Sequence, residues 1–287
     1  MTLRLGWLHE LYINWQNDRV SSLAAALAYY TLFSLAPILL ICISLVGTLF
    51  GEDATRGQIL EQINVLLGEQ TALQIQEMIT NVNHPSTAFS ARIFSIIVLL
   101  FTASRVFGSI QEGLNIIWGV QTNPHKKWFA VIKNQFVSFA MILIFAFLLF
   151  SSLVLSALLA ILSSHINYFI GASIFIELII SYSFSFLLVT LLFAIMFKTL
   201  PEVELKWSNI WVGALITALL FSLGKIAIGF YLNKAEIASI FGAASSIIVL
   251  LIWVYYSAQI FFIGAEITKI YTNHRAFRDA TQARPLT

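Results

Sequence analysis

The sequence predicts an all-α membrane protein: a polytopic bundle of about six transmembrane helices with amphipathic helices at its interfaces. Three observations predict it. The chain is 59% hydrophobic and 10% charged, with mean hydropathy +0.86, whereas a soluble domain carries about 25% charged residues. Apolar runs of the roughly 20 residues needed to cross a bilayer as a helix recur along it. Its lysines and arginines gather in alternate loops, the bias that fixes orientation in a membrane. The 287 residues suit one such bundle with short loops, and no stretch reads as a soluble domain. The formal charge of +2 is too small to indicate a polyanionic partner. The single cysteine, Cys42, lies in an apolar run and reads as a small core residue. It excludes an internal disulfide and any multi-cysteine metal site.

Residues 1–21 form a cytoplasmic amphipathic segment. Leu8, Leu11, Tyr12 and Trp15 recur at i, i+3, i+4 and i+7, with Trp7 and Trp15 as interfacial anchors; a frayed polar tail is the alternative. It does not read as a cleavable signal peptide, because the apolar run that follows is too long and Ala24, Ala26 and Ala28 do not sit after such a run. The membrane domain covers 22–271. Span 1 (22–50) opens on a small-residue face, with Ala24 and Ala28 as packing positions, and carries Pro37 mid-span. Proline removes a backbone donor, so a kink is expected there. The outer loop 51–90 holds two amphipathic patterns too short to span. They read as helices on the outer surface or capping the bundle, closed by a turn at Asn83, His84 and Pro85. Span 2 covers 91–110, and its continuation 111–121 fits an interfacial helix, broken at Asn123, Pro124, His125, Lys126 and Lys127. Spans 3, 4, 5 and 6 follow at 136–162, 170–197, 207–231 and 240–271. The tail 272–287 is polar and basic.

Six spans put both termini on one side. That side holds Arg4, Arg19, Arg105, Lys126, Lys127, Lys133, Lys198, Lys206, Lys269, Arg275, Arg278 and Arg284. The other side holds Arg56, Arg92 and Lys234 with an acidic loop. The positive-inside bias therefore predicts cytoplasmic termini in a bacterial inner membrane.

Charges inside spans are the sharp functional signals, because each costs several kcal/mol in lipid without a partner or water. Glu177 in span 4 and Lys225 in span 5 lie at similar depths, roughly 12 and 10 Å from the outer ends of their spans. They form a candidate intramembrane pair; the alternative is that Lys225 snorkels to the outer headgroups. Near the inner face Arg105 and Glu266 form a second candidate pair. The alternative there is headgroup contact for Arg105 and a local contact between Glu266 and Lys269, three residues on. Gly213, Gly224, Gly242 and Gly264 join Ala24 and Ala28 as helix-packing positions.

No catalytic constellation stands out. The five histidines are scattered, and no P-loop, nucleophile elbow or H-E-x-x-H motif occurs. A non-enzyme without metal or cofactor is expected.

Several stretches together carry a family resemblance. Asp18 and Arg19 lead into L-A-A-A-L-A-Y-Y-T-L-F-S-L-A-P at 23–37. Leu200 and Pro201 precede Trp207, Gly213, Ala214, Lys225 and Tyr231. F-G-A at 241–243, L-L-I-W-V-Y at 250–255 and G-A-E at 264–266 complete the set. The chain resembles the YihY/virulence factor BrkB family of bacterial inner-membrane proteins, with Phe241 where the family has tyrosine. The resemblance implies six spans and a role in the envelope, with lipid or amphiphile translocation among its suggested activities. Some members carry the label ribonuclease BN, which the absence of any nuclease site sets aside.

The expected function is therefore translocation of a lipid or other amphiphile without an ATPase of its own. The alternative is a non-transporting structural or envelope-assembly protein. Expected partners are membrane lipids, envelope proteins or a second copy of the chain, and not nucleic acid.

Overall fold

The computed structural model describes residues 2–82, 89–120, 136–148, 150–152, 154–155, 173–234 and 244–282. Among them are the helices α1 (Thr2–Asn17), α2 (Val20–Phe50), α3 (Glu52–Leu67), α4 (Glu69–Val82), α5 (Phe89–Ile117), α6 (Phe136–Ser152), α7 (Ser173–Thr199), α8 (Trp207–Lys234) and α9 (Ser245–Gln282). The described residues contain no strand. The chain is an all-α membrane helix bundle. Among the described residues, four segments are long and apolar enough to cross a bilayer: Val20–Leu49, Tyr182–Thr199, Trp207–Ile228 and Ser245–Ala276. They fall in predicted spans 1, 4, 5 and 6. Predicted span 2 lies within α5, which is 29 residues long, and the described part of predicted span 3 is α6.

Helix α8 states the membrane case residue by residue. Its buried side is Gly213, Ala214, Thr217, Ala218 and Gly224. Its large apolar side chains, Trp211, Leu215, Leu219, Leu223 and Ile226, are exposed. A soluble helix buries its large apolar residues. Lipid is as apolar as leucine, so a spanning helix turns small residues inward for close backbone contact and large ones outward.

Helix α9 is the axis of the bundle, packing most extensively against α2 and α8 and also against α1, α3, α4 and α5. It crosses α8 antiparallel. A methyl group at Gly213 would overlap the Thr268 hydroxyl, and one at Gly264 would overlap the Thr217 hydroxyl. Each threonine is tied to its own helix, Thr217 Oγ1 donating to the Gly213 carbonyl at 2.7 Å and Thr268 Oγ1 to the Gly264 carbonyl at 2.8 Å. The two helices thus lock a glycine of each against a threonine of the other.

Two glycines turn the chain after α2. Gly51 (φ 87°) and Gly68 (φ 86°) adopt conformations that side-chain-bearing residues rarely take. Helix α3 therefore folds straight back along α2. Ile59 packs with Leu39 and Ile43, and Leu67 reaches the cluster of Ala28, Leu250 and Val254. Helix α4 returns and adds Ile75 and Ile79 to the same wall. The α3–α4 hairpin marks one end of the bundle; α1 and the last turns of α9 mark the other.

Two expected boundaries move. The helix end predicted at residues 123–127 comes earlier: α5 runs unbroken from span 2 into its continuation as far as Ile117, and Gly119 (φ 66°) ends it. The Val120 N–H bonds the Asn115 carbonyl and the Gly119 N–H the Ile116 carbonyl, which is a Schellman cap. Gln111 and Asn115 are buried rather than interfacial, because Asn115 Oδ1 accepts the Glu202 N–H at 2.9 Å and so ties α5 to the α7–α8 loop. The predicted polar tail begins as helix, since α9 continues to Gln282. No glycine or proline intervenes before that point, and α1 packs beside these turns.

Candidate functional site

The α3 fold-back borders a partly open cavity of about 350 Å³ between α2, α3, α6 and α9, with Ile75 of α4 on its wall. Leu35 and Leu39 of α2, Ile59 and Ile63 of α3, and Leu250 and Trp253 of α9 make most of its surface apolar. Its polar groups are Thr31, Gln58, Gln62 and Ser152. The Thr31 hydroxyl is spent on the Leu27 carbonyl at 2.8 Å. Gln58 is half-buried and Gln62 exposed, one turn apart on α3, so the cavity has a polar edge along that helix and an apolar interior. This volume lies within the 300–1,000 Å³ range of small-molecule sites.

A second cluster sits at the opposite end. Glu266 is fully buried, and neither of its carboxylate oxygens has a hydrogen-bond partner among the described residues. Lys269 Nζ lies 3.8 Å from Glu266 Oε2 and donates to Asp18 Oδ2 at 3.2 Å. Asp18 belongs to the turn between α1 and α2, where Arg19 takes a left-handed conformation (φ 50°). One ammonium group thus serves two carboxylates on separate elements. Nearby, Gln259 Oε1 accepts from Trp15 Nε1 at 3.1 Å, and its Nε2 donates to Ser21 Oγ at 3.1 Å and Tyr255 OH at 2.8 Å. His274 Nε2 and Glu10 Oε2, 3.0 Å apart, complete the attachment of α1 to α9.

The predicted inner-face pair of Arg105 and Glu266 is not brought together. Arg105 is exposed, with its guanidinium 4.8 Å above the Phe101 ring, while Glu266 points into the bundle toward Lys269. The local i,i+3 alternative is the one that forms, since both residues already share a face of α9. For the pair of Glu177 and Lys225, Lys225 is half-buried on α8 with its ammonium 6.0 Å from the Phe221 ring centre. Glu177 falls in the opening turns of α7, and its side chain lies outside the described residues. Pro37 is buried within α2, which continues through it. Ala24 and Ala28 are buried. Gly224 faces Tyr256 and Ile260 of α9, and Gly213 and Gly264 meet threonines as described. Gly242 lies outside the described residues. Among the described residues no group of three metal-ligating side chains occurs.

Sequence reasoning missed the Asp18–Lys269 bridge, Gln259 and the cavity. The threonines four residues after Gly213 and Gly264 were a readable signal. The cavity had none, because it exists only once α3 lies along α2.

The sequence matches the family described as virulence factor BrkB across residues 11–286. The chain belongs to that family. Relatives of this BrkB-family chain include a UPF0761 membrane protein of Aeromonas salmonicida (strain A449), 27% identical over 266 residues, or 90% of this chain and 86% of that one. One from Cronobacter sakazakii (strain ATCC BAA-894) is 25% identical over 97% of this chain and 92% of its own length. One from Kangiella koreensis is 24% identical over 92% of this chain, which spans 64% of that longer protein. No solved structure matches the BrkB-family chain.

Proposed function

We propose that this BrkB-family membrane protein translocates a lipid or other amphiphile, without catalysing a reaction on it, in a bacterial inner membrane with both termini in the cytoplasm. The observation that carries the reading is the cavity of about 350 Å³: apolar within, and edged by Gln58 and Gln62 on one helix. That distribution suits a molecule with an apolar tail and a polar head. The α3–α4 hairpin forms one side of it, joined to the bundle by Gly51 and closed on itself by Gly68. Hinges of a few residues at element ends are where such covers move. The charge asymmetry of the loops supports the orientation.

The test is purified protein in liposomes carrying a fluorescent phospholipid, with a membrane-impermeant reductant added outside. The expected result is faster loss of the inner-leaflet signal than in empty vesicles, and its suppression by Leu250→Trp, which fills the cavity. Wild-type protein that moves no lipid under any imposed ion gradient would overturn the reading. The competing reading is a structural or envelope-assembly protein. It draws on the Asp18–Lys269–Glu266 cluster, whose contacts tie α1 to α9 as an ionic fastening.

A further inference from the structure

We infer that Arg56 holds the anionic headgroup, a phosphate or carboxylate, of an amphiphile whose tail occupies the cavity between α2, α3, α6 and α9. This rests on the amphiphile reading above and narrows it to a charge class. Arg56 is the one cation in the loop 51–90, against Glu52, Asp53, Glu61, Glu69 and Glu77. Glu52 and Asp53 stand four and three residues before it, the spacings at which a helical ion pair forms. They are nevertheless exposed, and no described carboxylate pairs with Arg56. Instead the arginine is half-buried, and its Nε is sealed from solvent with no hydrogen-bond acceptor among the described residues. A buried guanidinium donor left without a partner is costly, and an anion is the group that satisfies it in a bidentate way.

Helical geometry places Arg56 beside the cavity rather than on its wall. Ile63 lies seven residues on, about 20° from Arg56 around the helix, and Ile59 lies one turn on. Both line the cavity. Because α3 runs back along α2 from Gly51, Arg56 is at the hairpin end, while Leu67 reaches the interior among Leu32, Leu35 and Trp253. The head therefore lies at the membrane surface and the tail points inward. The acidic side chains around Arg56 disfavour a free anion arriving from water, so the anion is one carried by an apolar tail.

The experiment titrates full-length protein held in amphipol with two ligands sharing one tail, 12-bromododecyl phosphate and 12-bromododecanol. Bromine quenching of tryptophan is the readout, and Trp253→Phe identifies the signal from the cavity. The phosphate is expected to bind at least ten-fold more tightly than the alcohol. Arg56→Gln should bring it to the alcohol's affinity, Arg56→Lys should keep part of the difference, and alcohol binding should be unchanged in both, which also reports an intact fold. Equal affinities in the wild type, or a ratio untouched by Arg56→Gln, would overturn the headgroup assignment while leaving the cavity reading in place. Quenching by neither ligand would overturn both. Excess inorganic phosphate is expected to leave quenching unchanged; displacement by phosphate alone would assign the site to a free anion instead.

Discussion

At the scale of single residues the molecule is shaped by a few buried or half-buried charged groups. Glu266 is fully buried, and Lys269, 3.8 Å away and about a quarter exposed, is its one ion-pair partner among the described residues. Removing one member of a buried pair strands the other, at a cost of about 3–5 kcal/mol. Lys269→Met is expected near the lower end, since Lys269 is partly solvated, and the double variant Glu266→Gln/Lys269→Met should recover most of the loss. Reversible unfolding in mixed detergent micelles checks this; a double variant no more stable than Lys269→Met would remove Glu266 as the stranded group. For Lys225 the expectation is different. If Glu177 is its partner, reversing either charge alone should lower folded yield, and exchanging the two should restore it. A swap no better than the singles would leave Lys225 with its Phe221 contact and the headgroups. The identity of these charged residues was legible in the sequence, because a charge in an apolar run stands out. Their partners were legible only where the partner lay on the same helix, as Lys269 does for Glu266. Asp18, on the α1–α2 turn, was not, because that contact is made by chain segments more than two hundred residues apart.

At the scale of elements, small residues decide which helices touch. Glycines at 213 and 264 were readable as packing positions, but their counterparts were not, since the sequence does not say that α8 and α9 cross with residue 213 opposite 268. That register makes a specific expectation. Gly213→Ala inserts a methyl into the Thr268 side chain and should cost about 1–3 kcal/mol, the range for overpacking. Thr268→Ala in the same chain should return much of it, because it removes the obstructing hydroxyl and methyl. The alanine pair at Gly264 and Thr217 should behave alike, by the reciprocity of the crossing. Thermal unfolding of the two single and two double variants tests the register directly; no rescue in either pair would mean the helices slide to a new crossing. The same logic explains why the end of α5 was misjudged. Its polar residues suggested an interface, and only the α7–α8 loop, with a backbone N–H to satisfy at Glu202, shows why Asn115 is buried.

At the scale of the whole molecule the sequence carried the class of fold, because composition and charge distribution are global properties. It did not carry the cavity, which depends on two glycines reversing the chain so that amphipathic helices lie along α2. Orientation is the global property that remains open to a direct measurement, and the chain offers a convenient background for it. Cys42 is fully buried within α2, so a membrane-impermeant maleimide should leave the wild-type protein unlabelled in intact cells. A cysteine placed at Ala54, exposed in the first turn of α3 beside the end of α2, should be labelled from outside without permeabilisation. One placed at Asn17, exposed between α1 and α2, should be labelled only after the membrane is opened. The reasoning is electrostatic. The end of the bundle that carries α1 and the last turns of α9 also carries Arg19, Lys198, Lys206, Lys269 and Arg275, whereas the hairpin presents five carboxylates and one arginine. Cationic loops are retained on the cytoplasmic side at insertion, so the proposed orientation puts the hairpin outside. The opposite labelling pattern would invert the molecule, and the amphiphile site at Arg56 would then draw from the cytoplasmic leaflet instead of delivering to the outer one.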